Sequence, residues 1–166
     1  ISDTVGCHPF TVNFLNTSIG ADSFFWDFGD NSTSTLQDPI HTFTNTDTIK
    51  TTDSTYIVTL VAVSSFGCPS DTVTQDIVVH PKPTAIFTVD TNDGFSPLLI
   101  TITHTTSGTN YDTLFWNYGD GPKDTNITGT FTHVYFNSSD TTVCYTLQLI
   151  SKNNSACTDT FTEIIC

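Results

Sequence analysis

The chain has 166 residues and a formal net charge of −13, because 17 acidic residues face only four lysines. Nucleic acid and anionic membranes are excluded as good partners of such a surface, since both are negatively charged themselves. No run of about 18 apolar residues is present that could form a membrane-spanning helix.

Threonine is abundant and strong helix formers are sparse, so we expect strands and no long helix. Apolar and polar residues alternate with the period of a strand that has one buried face. Val12 and Phe14 alternate with Thr11 and Leu15, for example, and either set could face inward. The alternation predicts five strands in the first half of the chain, at residues 10–17, 23–28, 41–44, 55–64 and 71–79.

A proline-rich link, residues 80–84, separates this half from the next. Its two prolines restrict the link to an extended, semi-rigid path, so we expect the two halves to stand end to end. Short strands separated by polar turns are typical of antiparallel two-sheet sandwiches of immunoglobulin-like shape. The strands predicted in the second half are residues 85–89, 98–105, 113–118, 130–135, 142–151 and 159–165.

One motif occurs twice. Residues 25–30 read Phe-Trp-Asp-Phe-Gly-Asp, and residues 115–120 read Phe-Trp-Asn-Tyr-Gly-Asp. The chain has only two tryptophans, and they occupy the same place in the two copies. Because other landmarks follow in the same order, the sequence predicts two domains of one kind, residues 1–80 and 81–166.

The first copy resembles the PKD domain, the polycystic kidney disease repeat. The resemblance rests on WDFGD at 26–30, DPIHTF at 38–43 and YIVTL at 56–60, and it extends over nearly the whole chain. The second copy departs from it, with Asn117 in place of Asp27 and no Asp-Pro before its histidine. The resemblance implies an all-β fold of two tandem immunoglobulin-like antiparallel β-sandwiches.

The repeated motif predicts a structural role for its members. We expect each tryptophan to lie in the core, and each histidine to hydrogen-bond the Gly-Asp turn and pack beside the tryptophan. These core-motif residues are Trp26, Gly29, Asp30 and His41 in the first copy and Trp116, Gly119, Asp120 and His133 in the second.

The cysteines favour disulfides and an oxidising, extracellular setting. Cys7 precedes the first full strand and Cys68 precedes the last one, so we predict that these two pair. Cys144 and Cys166 are about equally far from the last hairpin turn, so we predict a second pair, which leaves Cys157 single. The other pairings among these last three cysteines stay open.

No motif of a nucleophilic, metal-dependent or nucleotide-binding enzyme is present. Asp27 and Asp30 could form the carboxylate pair of a glycosidase, but Asn117 breaks that pair in the second copy. We therefore predict no catalysis and no required cofactor. Calcium is the one ion considered, because it prefers hard oxygen ligands and some PKD domains of secreted proteases bind it. Its candidate ligands are Asp22, Asp30, Asp112 and Asp120.

Two kinds of surface site are also expected. An Asp followed by Ser or Thr and then an aliphatic residue or Thr resembles an O-glycosylation acceptor of Gram-negative bacteria. The candidate acceptors are Thr4, Thr48, Ser54, Thr72, Thr113 and Thr141. Phe25 and Phe115 point away from the tryptophan face by alternation, and they could contact a neighbouring subunit or a glycan unless a loop covers them.

These features predict a non-enzymatic, extracellular segment of a larger cell-surface or secreted protein. Its role is that of a rigid spacer and adhesion module, and neighbouring repeats of the same protein are its expected partners. Self-association into fibres through strand edges and a glycan or protein ligand stay open. The alternative is a substrate-targeting module of a secreted protease or glycanase. Since the chain begins at Ile1 without a signal peptide, we expect it to be cut from a longer protein.

Overall fold

Two pairs of β-sheets make up the chain. The computed structural model describes residues 3–47, 51–105 and 111–166, and within these ranges it contains strands and turns but no helix. The chain divides into two units, Ile1–Pro81 and Lys82–Cys166, called the first and the second unit. The predicted all-β, immunoglobulin-like class is confirmed.

The first unit contains one large and one small sheet. The large sheet has the order β1-β7-β6-β3-β4, and the small one pairs β2 with β5. β1 runs parallel to β7, whereas the other neighbours are antiparallel. The strands are β1 (Val5–Cys7), β2 (Phe10–Asn13), β3 (Ser23–Asp27), β4 (Thr33–Ser34), β5 (Ile40–Phe43), β6 (Ser54–Val63) and β7 (Val73–His80).

The second unit has the sheet orders β11-β10-β13-β14 and β12-β9-β8, with antiparallel neighbours throughout. Its strands are β8 (Phe87–Val89), β9 (Leu98–His104), β10 (Thr113–Asn117), β11 (Lys123–Thr125), β12 (Thr130–Tyr135), β13 (Tyr145–Lys152) and β14 (Thr158–Ile165).

The strand predicted at 10–17 ends early, at Asn13. Beyond it the Phe14 N–H still donates to the Pro39 carbonyl, at 2.9 Å. Proline has no N–H to donate in return, so the regular ladder between β2 and β5 stops there. The strands β1, β4 and β11 were not predicted, because two or three residues are too few to show a period.

Each unit has its core between the inner faces of its two sheets. The orientation left open by the alternation is resolved, since Val12 on β2 and Val58 on β6 are buried. The core of the first unit consists of Val12, Phe14, Trp26, Phe28, Phe43, Val58, Ile77 and Val79. The core of the second unit consists of Ala85, Phe87, Ile100, Ile102, Leu114, Trp116, Tyr118, Tyr135, Leu147, Leu149 and Ile165.

The predicted Cys7–Cys68 disulfide is wrong. Cys68 is an exposed free thiol, and Cys7 is disulfide-bonded elsewhere. The reason is the parallel pairing of β1, which sets Cys7 beside His80 at the end of β7, whereas Cys68 precedes the start of that strand. β7 is eight residues long, about 26 Å at ~3.3 Å per residue, and a disulfide requires Cα atoms within about 7 Å.

The predicted Cys144–Cys166 disulfide is confirmed. It joins the residues just outside the Tyr145 and Ile165 pair of β13 and β14, with Cα atoms 4.0 Å apart. Closing a loop with a separation of 22 residues constrains the unfolded chain by about 3 kcal/mol in the entropy model. Cys157, predicted to be single, is disulfide-bonded.

Candidate functional site

Each tryptophan is a fixed part of its core, as predicted. Trp26 is 5% exposed and Trp116 is 1% exposed. The indole N–H of Trp26 donates to the Leu36 carbonyl at 3.0 Å, and that of Trp116 donates to the Ile127 carbonyl at 3.1 Å. Neither ring is therefore available to bind a ligand.

The glycine after each central strand permits a close approach of two backbones. Gly29 has φ 77°, and a Cβ built on it would lie 2.7 Å from the Ile57 carbonyl oxygen. Gly119 has φ 85° and the same 2.7 Å distance to the Thr146 carbonyl oxygen. A side chain does not fit at either position, so the motif requires glycine there.

The change from Asp27 to Asn117 between the copies preserves one contact. The Asp27 Oδ1 accepts a hydrogen bond from the Gly29 N–H at 2.9 Å, and the Asn117 Oδ1 accepts one from the Gly119 N–H at 3.2 Å. An amide oxygen serves this short turn as well as a carboxylate does. The position therefore needs an acceptor, not a charge.

Each motif histidine hydrogen-bonds the turn aspartate, as predicted. His41 Nε2 lies 2.7 Å from Asp30 Oδ2, and His133 Nε2 lies 2.9 Å from Asp120 Oδ2. The predicted packing beside the tryptophans is wrong, because the imidazoles stack on Phe28 and on its counterpart two residues after Trp116. The ring centroids are 4.1 and 4.0 Å apart, and the stacked rings are nearly parallel.

We expect the Asp30→Asn variant to lose stability in a pH-dependent way. Burial raises the pKa of Asp30, but hydrogen bonds from Ser32 and His41 outweigh burial, so the pKa lies below its ordinary value of 3.8. This contribution is present above the unfolded pKa and is lost as the pH falls through the folded pKa. Near pH 7 the variant should lose about 1 kcal/mol, and the difference from the native chain should shrink towards pH 3.

Thermal melts from pH 3 to pH 8 would measure this effect. The matched control is Asp27→Asn, which introduces the residue that the second copy already has and should change little. An equal loss for Asp30→Asn at both ends of the pH range would contradict the linkage.

The structure does not bring the calcium candidates together. Asp22 precedes β3 and Asp30 follows it, and a five-residue strand spans about 16 Å. Asp112 and Asp120 flank β10 in the same way. The described ranges contain no group of three or more His, Cys, Asp or Glu side chains arranged to hold a metal ion.

We expect millimolar calcium to leave the melting temperature of the chain unchanged. Asp30 and Asp120 already accept hydrogen bonds from histidines, and their candidate co-ligands lie at the other ends of the strands. Calorimetry with calcium and with a chelator would measure the shift, and magnesium is the matched control. An increase of several degrees specific to calcium would contradict this expectation.

The groups considered for catalysis have structural partners. Asp27 caps the Gly29 N–H, and Asp30 binds Ser32 and His41. The two carboxylates are thus held by separate contacts of one turn. This geometry supports a turn that fixes the end of the central strand.

The outward aromatic residues are open to solvent. Phe25 is 48% exposed and Phe115 is 41% exposed, so a covering loop of the same unit, the alternative considered above, is wrong. Phe25 pairs with Val61 and Phe115 with Ile150 across neighbouring strands. Each unit therefore presents a small apolar area on the outer face of its larger sheet.

The glycosylation candidates differ in exposure. Thr72 and Thr141 are exposed, and Thr4, Ser54 and Thr113 are partly buried. Thr48 lies outside the described residues. Among the candidates in the described ranges, Thr72 and Thr141 are therefore the most accessible.

Sequence reasoning missed two ion pairs next to the unit boundary. His80 Nδ1 lies 2.7 Å from Asp53 Oδ1 in the first unit, and Lys82 Nζ lies 2.8 Å from Asp159 Oδ1 in the second. Asp159 also accepts the Ala85 N–H at 2.8 Å. Burial raises the pKa of Asp159, but the bonds from Lys82 and Ala85 bring it below its ordinary value. Each partner is remote in sequence, so no local pattern indicates these pairs.

Comparison with known proteins gives one family. Residues 3–79 match a family model described as PKD domain. No curated protein sequence matches the chain. Among the described residues no helix is long and apolar enough to cross a bilayer.

The solved structures that the chain matches share little sequence identity with it. The fibronectin(III)-like modules of Clostridium thermocellum CbhA share 12% identity at a TM-score of 0.40, covering 99% of this chain and 88% of theirs. The amphioxus IgVJ-C2 molecule shares 13% at 0.38, covering 96% and 98%. The D00-D0 domain of intimin shares 17% at 0.35, covering 97% and 94%.

Proposed function

We propose, from the match of residues 3–79 to the PKD domain family, that the chain is a non-enzymatic, extracellular spacer and adhesion segment of a cell-surface or secreted protein. Disulfide bonds at four of the five cysteines fit an oxidising compartment. The acidic net charge keeps such a segment soluble.

The observation that supports a spacer best is the anchoring of the chain on both sides of the unit boundary. His80 is held by Asp53, and its carbonyl accepts the His8 N–H at 2.9 Å. Lys82 is held by Asp159. Only Pro81, whose φ is fixed by its ring, stands between the two anchored residues. The proposed spacer role requires that this link be stiff.

Residual dipolar couplings of the two units test the proposal. If the link is stiff, both units of the native chain report one common alignment tensor. The Pro81→Gly/Lys82→Ala double variant should give two different tensors. Lys123→Ala, which removes an exposed lysine far from the boundary in sequence, is the matched control. Two independent tensors in the native chain would overturn the spacer proposal.

A second candidate function is the targeting of an insoluble substrate, and the exposed Phe25 and Phe115 favour it. Flat aromatic rings stack on sugar rings and on apolar side chains. Retention on cellulose, chitin or collagen that is lost in Phe25→Ala or Phe115→Ala would support this function. If the chain is not retained on any of the three matrices, substrate targeting is rejected and the spacer role stands.

A further inference from the structure

The larger sheets of the two units can be compared position by position. The tryptophan of each central strand pairs with a leucine, Leu60 on β6 or Leu149 on β13, so the two sheets share one register. One position earlier on the central strand, each unit has its outward phenylalanine, which pairs with Val61 or Ile150. We call the outward strand positions of β4, β3, β6 and β7 the first face, and those of β11, β10, β13 and β14 the second face.

The second face contains no acidic residue at its strand positions, all of which lie in the described ranges. Threonine, asparagine and glutamine surround Phe115, two isoleucines and two lysines there. The lysines are Lys123, which pairs with Asn117, and Lys152, which pairs with Thr113. Both are exposed, and neither forms an ion pair with a described residue. In a chain with 17 acidic residues and four lysines, this face reverses the overall charge.

The first face has the opposite charge. Its strand positions, which the structure describes in full, contain two aspartates and no lysine. Asp27 is the counterpart of Asn117, because each is the last residue of its central strand. Asp76 on β7 is the counterpart of Ile164 on β14, because each pairs with the residue three positions before the leucine named above.

The lysines of the second face also have uncharged counterparts. Thr33 occupies the position of Lys123, since each pairs with the last residue of its central strand. Val63 occupies the position of Lys152, since each pairs with the first residue of its central strand. All four positions that carry a charge on either face therefore differ in the same direction, from two negative charges on the first face to two positive charges on the second.

Only unlike faces attract each other. Two first faces would bring carboxylates together and two second faces would bring ammonium groups together, and like-charge repulsion disfavours both arrangements. A first face against a second face places carboxylates opposite lysines around two apolar centres. Phe25 and Phe115 are both exposed and would cover each other's apolar area in such a contact. The chain therefore carries both halves of one complementary pair of surfaces.

We propose that the second face of one molecule binds the first face of another copy of this chain. Lys123 and Lys152 of one copy pair with carboxylates of the other, and the phenylalanines pack in the centre. Because the contact joins unlike faces, each copy keeps one face free, and further copies add in a row. The proposal names the partner of the adhesion role and rests on that role, whereas the spacer role has its own test in the dipolar couplings, so the two can fail separately.

The contact is weak between single molecules. Four strands about 4.8 Å apart, the longest with eight residues, give the second face dimensions of roughly 15 by 26 Å. Two faces of this size bury less than about 1,200 Å², the range of weak encounters, so we expect a Kd of roughly 0.1–1 mM. At physiological salt the Debye length is about 8 Å, so the repulsion between remote carboxylates of two copies is screened while the contacting pairs still attract.

Sedimentation equilibrium of the full chain at concentrations up to about 1 mM tests the proposal. We expect the weight-average mass to rise above the 18.1 kDa of the monomer and to continue beyond two copies. Lys123→Glu/Lys152→Glu makes both faces negative and should weaken the association at least about tenfold. A native chain that stays monomeric, or whose mass stops at two copies, would overturn the proposal.

A charge exchange between the faces provides the matched control. Asp27→Asn/Thr33→Lys/Asp76→Lys makes the first face positive and should also weaken the association about tenfold, although it makes the whole chain less negative. Mixing this variant with Lys123→Glu/Lys152→Glu again offers unlike faces and should restore the native affinity to within about threefold. A misfolded variant cannot be rescued in this way. If the mixture does not associate, or if the triple variant alone associates more strongly than the native chain, the proposal is wrong.

NMR spectra locate the contact and separate it from a general surface for anions. Raising the concentration should shift the backbone amides of Phe25 and Phe115 and leave that of Thr132, in the other sheet of the second unit, unchanged. Polyglutamate, an acidic polymer without an apolar centre, should not displace a bound copy at equal carboxylate concentration. Amide positions that stay the same at all concentrations, or displacement by polyglutamate, would overturn the proposal.

Discussion

Replacing Trp116 with alanine is expected to destabilise the second unit by about 3–5 kcal/mol, the usual cost of removing a fully buried tryptophan. The indole is 1% exposed, contacts the rings of Phe87 and Phe131, and donates a hydrogen bond to the Ile127 carbonyl. Its removal leaves a cavity and an unpaired carbonyl together. A domain of about 85 residues has a stability of roughly 4–13 kcal/mol, so this loss is a large part of the total.

The measurement is hydrogen exchange of the β13 and β14 amides, which reports the second unit without interference from the first. Phe115→Ala is the matched control, because it removes an aromatic side chain one position away on the outer face, where the ring is 41% exposed. We expect the control to lose about 1 kcal/mol or less. Equal losses for the two variants would mean that the inner and outer faces of β10 are wrongly assigned.

The alternation of apolar and polar residues along the strands determines how much of the fold can be predicted from the sequence. Burial of Trp26 and Trp116 follows from the strand period, because every second residue of a strand faces the core. The histidine to aspartate contacts could be predicted because the motif repeats in both units. The stacking of His41 on Phe28 could not, since it depends on how the small sheet lies over the large one.

The errors arise where pairing partners are remote in sequence. The parallel pairing of the three-residue strand β1 with the end of β7 decides where Cys7 lies, and so short a strand has no readable period. Cys68 does lie between β6 and β7, as predicted, but its thiol is free.

The second large effect is expected from Gly29→Ala, at about 2–5 kcal/mol in the first unit. Two terms add. An alanine at φ 77° costs roughly 1–2 kcal/mol, because its Cβ crowds the adjacent carbonyl. The Cβ would also lie 2.7 Å from the Ile57 oxygen, and that oxygen belongs to the backbone of β6, so it cannot rotate away. Forcing β3 and β6 apart adds about 1–3 kcal/mol, as overpacking of a core does.

Gly67→Ala separates the two terms, because Gly67 has the same φ of 77° but no atom within 4 Å of the added Cβ. Both glycines lie in the first unit, so urea denaturation followed by Trp26 fluorescence in a Trp116→Phe background compares them directly. Gly67→Ala should show the conformational cost alone, and the excess for Gly29→Ala measures the contact with β6. If both variants lose the same stability, the backbone of β6 yields to a methyl group, and the glycine of the motif is explained by its dihedral angle without any close packing.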